Sequence, residues 1–94
     1  MEILRKMSDE ELEKLVVTVE EETNDYLKQI LPPKTDFNVS VSVERKTDAV
    51  TVSIDVTIRG RLEQYGREAK DAVNYAKRKL IEALEYMKSK YVKT

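Results

Sequence analysis

Apolar positions along the chain follow two different periods, and the change from one to the other sets the expected order of elements. From Leu12 through Leu15, Val16, Val19, Thr23, Tyr26, Leu27 and Ile30 they recur at spacings of one, three and four, which places them on one face of an α-helix. Ser8-Asp9-Glu10-Glu11 ahead of this run fits a capping box, with Met7 and Leu12 set for a hydrophobic staple. Leu31-Pro32-Pro33 ends it, because proline lacks the N–H that would continue the ladder. A helix over about residues 9 to 31 is predicted.

Strict alternation follows. Phe37, Val39, Val41 and Val43 share one side against Asn38, Ser40, Ser42 and Glu44, and the pattern resumes with Val50, Val52, Ile54, Val56 and Ile58. Two β-branched runs with period two and a short polar connection read as a hairpin. A four-residue turn of Arg45 to Asp48 would pair Val43 with Val50, Val41 with Val52, Val39 with Ile54 and Phe37 with Val56. All the apolar side chains then occupy one face. A second long helix runs through Leu62, Tyr65, Ala69, Ala72, Val73, Ala76, Leu80, Ala83, Leu84, Met87 and Tyr91, with Gly60 at the strand exit. Gly66 leaves its start open, near 62 or near 67, since glycine inside a helix costs about 1 kcal/mol relative to alanine.

The expected fold is therefore one α+β domain over residues 1–94, of two layers in the order α-β-β-α, with two long helices on one face of an antiparallel hairpin. A lone hairpin is a narrow floor for two helices. Strands sit about 5 Å apart and packed helices about 8–10 Å, and both strand edges offer unpaired backbone groups. Self-association, as a dimer, or association with another protein is the expectation. A monomer whose edges are blunted by twist and charge competes with it.

Composition narrows the chemistry. The 94 residues include no Cys, no His and no Trp, so zinc sites of the usual ligands, disulfides, a cysteine nucleophile and a Ser-His-Asp relay are all excluded. Two glycines leave no phosphate-binding loop. Carboxylates are many, yet none is placed beside a base or nucleophile. Hence no catalytic, cofactor-binding or metal-ligating residue is assigned, and Glu20-Glu21-Glu22 reads as solvated helix surface. Asn38-Val39-Ser40 matches a glycosylation acceptor pattern, but it falls inside a strand of a chain without secretory features. With no apolar run near the roughly 18 residues needed to span a bilayer, a cytoplasmic protein is expected and no membrane partner. Abundant charge with only three Asn and two Gln follows the trend of proteins from hot environments.

Charge is uneven beneath a net of −1. Residues 1–33 hold four basic and nine acidic groups, residues 34–60 four of each, and residues 61–94 nine basic and five acidic. The favoured reading is opposite charge along the rims of two antiparallel helices. Nucleic acid is the alternative partner, with Lys70, Tyr75, Lys77, Arg78 and Lys79 as candidate contacts combining phosphate attraction and base stacking. Tyr75, Ile81 and Tyr86 lie off the main stripe of the second helix and are candidate interface residues.

The opening Ser8-Asp9-Glu10-Glu11-Leu12-Glu13, the Tyr26 to Pro33 helix end and the Val-rich hairpin before an Ala-rich helix resemble a small archaeal family of α-β-β-α proteins, a domain of unknown function. The resemblance implies an archaeal, cytoplasmic source and no functional residues. The helix-hairpin-helix order also resembles the β-type subunit of the chaperone prefoldin, whose coiled-coil helices are far longer than the 23 to 30 residues expected of this chain. A non-enzymatic structural or protein-interaction role is the leading expectation.

Overall fold

A computed structural model describes residues 2–47, 49–59 and 65–92, with side chains over 4–47, 49–59 and 65–87. Helix α1 (Glu2–Lys6) precedes α2 (Asp9–Ile30), strands β1 (Asp36–Arg45) and β2 (Val50–Arg59) form one antiparallel hairpin, and α3 (Gly66–Val92) closes the chain. The α+β class and the α-β-β-α order hold, with one short helix added in front.

Local chemistry accounts for the start of α2. The Ser8 hydroxyl accepts the Glu11 N–H at 3.1 Å, and the Ser8 N–H donates to Glu11 Oε1 at 3.0 Å. Two otherwise orphaned donors are thus satisfied at once. Leu31 follows as an extended cap whose N–H still reaches the Leu27 carbonyl at 2.9 Å, and the two prolines carry the chain away. Leu31 is buried while Ile30 is 42% exposed, so the last apolar position of the stripe is the cap residue rather than Ile30. Tyr65 is not helical, and its carbonyl accepts the Ala69 N–H at 2.8 Å. That bond fixes the start of α3 at Gly66, near the later of the two expected positions. Leu62 and the rest of 60–64, on which the earlier start depended, lie outside the described residues, as does the side chain of Tyr91.

The hairpin keeps its predicted faces but not its predicted register. Val43 pairs with Val52, Val41 with Ile54, Val39 with Val56 and Phe37 with Ile58, two residues from the expected alignment. Arg45, expected in the turn, instead ends β1 opposite Val50, and the Lys46 N–H donates to the Ala49 carbonyl at 2.8 Å. Period-two patterning fixes which face a side chain takes, yet any slip by two residues satisfies it equally.

Each helix lies over one strand, α2 over β1 and α3 over β2. Twenty-two helical residues and ten strand residues both span about 33 Å, so α2 and β1 match in length. The core runs between them through Leu15, Val19, Leu27, Val39, Val41, Leu80 and Leu84. Ala72 and Ala76 are completely buried, and their small side chains let α2 approach α3. Thr23, also fully buried, donates its hydroxyl to the Val19 carbonyl at 2.8 Å and leaves no polar atom unpaired. Helix α1 closes one end with Leu4 and Met7. Measuring 52 × 26 × 20 Å with a radius of gyration of 15.0 Å, the molecule is elongated. A compact chain of this length would have about 12 Å.

Candidate interaction surfaces

The two edges of the hairpin differ in a way that bears on assembly. Since Lys46 and Ala49 form a hydrogen-bonded pair, alternation along the ladder makes Glu44 with Thr51, Ser42 with Ser53, Ser40 with Asp55 and Asn38 with Thr57 hydrogen-bonded pairs as well. The intervening residues direct their backbone groups outward, away from the partner strand. On β1 one of these, the Val41 N–H, donates to Glu20 Oε2 of α2 at 2.8 Å. A carboxylate from the overlying helix thus occupies the middle of the β1 edge.

On β2 the outward groups belong to Val50, Val52, Ile54, Val56 and Ile58, and among the described residues no side chain bonds to them. The same five side chains are only half-buried, whereas Val39 and Val41 across the ladder are buried. Helix α3 therefore leaves its strand less well covered than α2 leaves β1. The other face of β2 is Thr51, Ser53, Asp55 and Thr57, all exposed. Edge strands are ordinarily blunted by lysine, proline or a covering element; before its last residue, Arg59, this one carries a single charge, Asp55.

The candidate nucleic-acid contacts are dispersed. Tyr75 stacks on Tyr26 of α2, ring centroids 4.4 Å apart and planes 9° from parallel. The Arg78 guanidinium and Lys79 ammonium stand 5.4 and 5.5 Å from the Tyr75 ring centre. Lys79 also pairs with Glu22 of α2 at 3.8 Å and with Glu82 at 3.5 Å. The Lys79–Glu22 contact joins the acidic helix to the basic one. Lys70, Lys77 and Arg78 are exposed, with Lys70 and Lys77 on a flank of α3 turned away from the Tyr75 and Lys79 side. Hence Tyr75 and Lys79 form part of the helix–helix contact, Arg78 stands over the same Tyr75 ring, and Lys70 and Lys77 lie apart from it.

Of the candidate interface residues, Ile81 is 46% and Tyr86 72% exposed. They do not share a face. Tyr86 continues the Tyr75–Lys79 flank, while Ile81 belongs to the flank away from α2, with Lys77.

A feature the sequence pattern did not single out is Arg45. Its guanidinium donates to the Met7 carbonyl at 2.6 Å and the Leu4 carbonyl at 3.5 Å, and pairs with the Asp9 carboxylate. Carbonyls at the end of α1 have no helical partner, and Arg45 supplies donors to them from the tip of the hairpin. Arg5 reaches the other way, donating to the Thr47 carbonyl at 2.9 Å. The paired location of two arginines and two chain reversals would have been the signal, but a register shifted by two residues conceals it.

A hollow of about 310 Å³ at the open end of the hairpin is lined by Asp36, Phe37, Asn38, Thr57 and Arg59, with Asp36 directly across the ladder from Arg59. Among the described residues no group of acidic side chains is clustered to hold a metal ion, and no helix is long and apolar enough to cross a membrane. No family model, curated protein or solved structure matches the chain.

Proposed function

We propose that this protein is a non-enzymatic interaction module that assembles through the free edge of β2, working by backbone pairing with an added strand. The observation that supports this reading is the asymmetry of the hairpin: Glu20 occupies the β1 edge at Val41, while β2 presents outward amides and carbonyls beside five half-buried apolar side chains. An added strand would bond those groups and widen the floor beneath α3. A cytoplasmic setting in an archaeon from a hot environment belongs to the same reading, supported by the composition and the α-β-β-α resemblance.

The test is a proline placed where it harms assembly alone. Val56 directs its N–H outward, so Val56→Pro leaves the β1–β2 ladder intact and removes a donor from the free edge. Association, followed by light scattering and by affinity capture from the native source, should be lost in this variant while its circular dichroism remains that of the wild type. A correctly folded Val56→Pro protein that associates as strongly as the wild type would overturn the reading.

Nucleic acid is the second reading, supported by the exposure of Lys70, Lys77 and Arg78. It requires binding that weakens steeply with added salt and is lost when those three residues are changed together to Glu.

A further inference from the structure

The edge of β2 is self-complementary, and from this we infer that its occupant is a second copy of the same chain, paired antiparallel about a two-fold axis through Ile54. The inference rests on the assembly reading above and adds the identity of the partner and its register.

Outward backbone groups on β2 belong to even-numbered residues, so two copies can pair only with even residues opposite even ones. This condition places the apolar rows of both copies on one face and all helices on that side of a four-stranded sheet, so the two α3 helices must splay from the strand spacing of about 5 Å to the roughly 8–10 Å that packed helices need. A two-fold axis further requires the pairing to read the same from either copy.

Two registers satisfy these conditions with the longest overlap. In one the axis passes through Asp55, and two carboxylates face each other in a non-hydrogen-bonded pair, where side chains come closest; like charges directly opposite are destabilising. In the other the axis passes through Ile54, and Val50–Ile58 overlaps in full. Ile54 then exchanges both backbone bonds with Ile54 of the second copy, Val52 with its Val56, and Val50 with its Ile58. On the polar face Asp55 stands opposite Ser53, a carboxylate acceptor against a hydroxyl donor, and Thr51 stands opposite Thr57. Every other symmetric register shortens the overlap. The flank of α3 away from α2 faces the axis in this arrangement, which brings Ile81 toward the second copy.

The absence of cysteine from the chain permits a clean test. Thr51→Cys and Thr57→Cys proteins, which both keep Asp55, are prepared separately, then oxidised alone and after mixing, with the oligomeric state of the wild type measured by light scattering at tens of micromolar. In the Ile54-centred register each cysteine faces a non-cysteine residue in its own homodimer, so disulfide-linked dimer should form on mixing and exceed that of either variant alone about tenfold or more. Cross-linking of Thr57→Cys with a Ser53→Cys protein to the same extent would instead place the axis at Asp55 and overturn the register. A wild-type monomer would overturn self-pairing. If that monomer nonetheless binds another protein in a manner abolished by Val56→Pro, the edge reading stands and only the second copy is removed as its occupant.

Discussion

Tyr75 of α3 lies flat against Tyr26 of α2, ring centres 4.4 Å apart, and one contact decides how two residues on the margins of their stripes are used. Both rings are half-buried, with the cations of Arg78 and Lys79 close by. An aromatic pair of this kind contributes about 0.5–1.5 kcal/mol beyond the area it buries. A double-mutant cycle with Tyr26→Leu and Tyr75→Leu, measured by urea unfolding, should yield a coupling energy in that range. Additive effects would show that the stack contributes no specific energy.

Arg45 gives a second prediction, in which neutral acceptors outweigh an ion pair. Asp9 is almost fully exposed on its side of the contact and Arg45 only 26% exposed, so the pair itself is screened by water and worth about 0–1 kcal/mol. Two charge-assisted bonds to carbonyls near the end of α1 are worth more. Arg45→Met should lower stability by about 1–3 kcal/mol, and Asp9→Asn by no more than about 1 kcal/mol. Arg45→Lys should recover part of the loss, since one nitrogen, Nη1, reaches both carbonyls and an ammonium placed there can donate to them. Equal losses on the two sides would contradict this division.

Gly66 opens α3 without any need for glycine. Its φ is not positive, and a Cβ there would meet nothing within 4 Å. Gly66→Ala should therefore stabilise by about 0.4–1 kcal/mol through the unfolded chain, raising Tm by roughly 2–8 °C. A fall in Tm would mean that the turn into the helix uses the freedom of glycine.

Glu20 acts as a guard on β1. Glu20→Gln keeps an acceptor for the Val41 N–H and should be close to neutral, whereas Glu20→Ala forfeits the bond at about 1 kcal/mol. Loss of the guard should also promote concentration-dependent association, visible by light scattering, because a second edge is opened. Equal behaviour of the two variants would show that the carboxylate does not protect that edge.

Sequence patterning specified the faces of these elements well and their alignment poorly, for a physical reason in each case. The capping box at Ser8 and Glu11 and the stop at Leu31-Pro32-Pro33 are local, so they read directly from neighbours along the chain. The strand register is not local; period two leaves slips of two residues degenerate, and the turn at 46–49 resolves them only through its backbone closure. Helix α1 is five residues long, too short to show a period, although Leu4 within it and Met7 just after it are both buried. Tyr75 reads as an outlier on an isolated helix because the stripe it belongs to is completed by Tyr26 on another element. The edge asymmetry could not be read in advance, since it depends on Glu20 reaching a backbone group twenty-one residues away.

On the proposed reading, this protein assembles at the outward edge of β2. Light scattering of the wild type beside Val56→Pro and Thr57→Pro tests it most directly, with circular dichroism to follow the fold. Thr57 bonds inward to Asn38, so its replacement should damage the hairpin itself, while Val56→Pro should keep the fold and give a monomer where the wild type is a dimer. A dimer that survives Val56→Pro unchanged would contradict the claim.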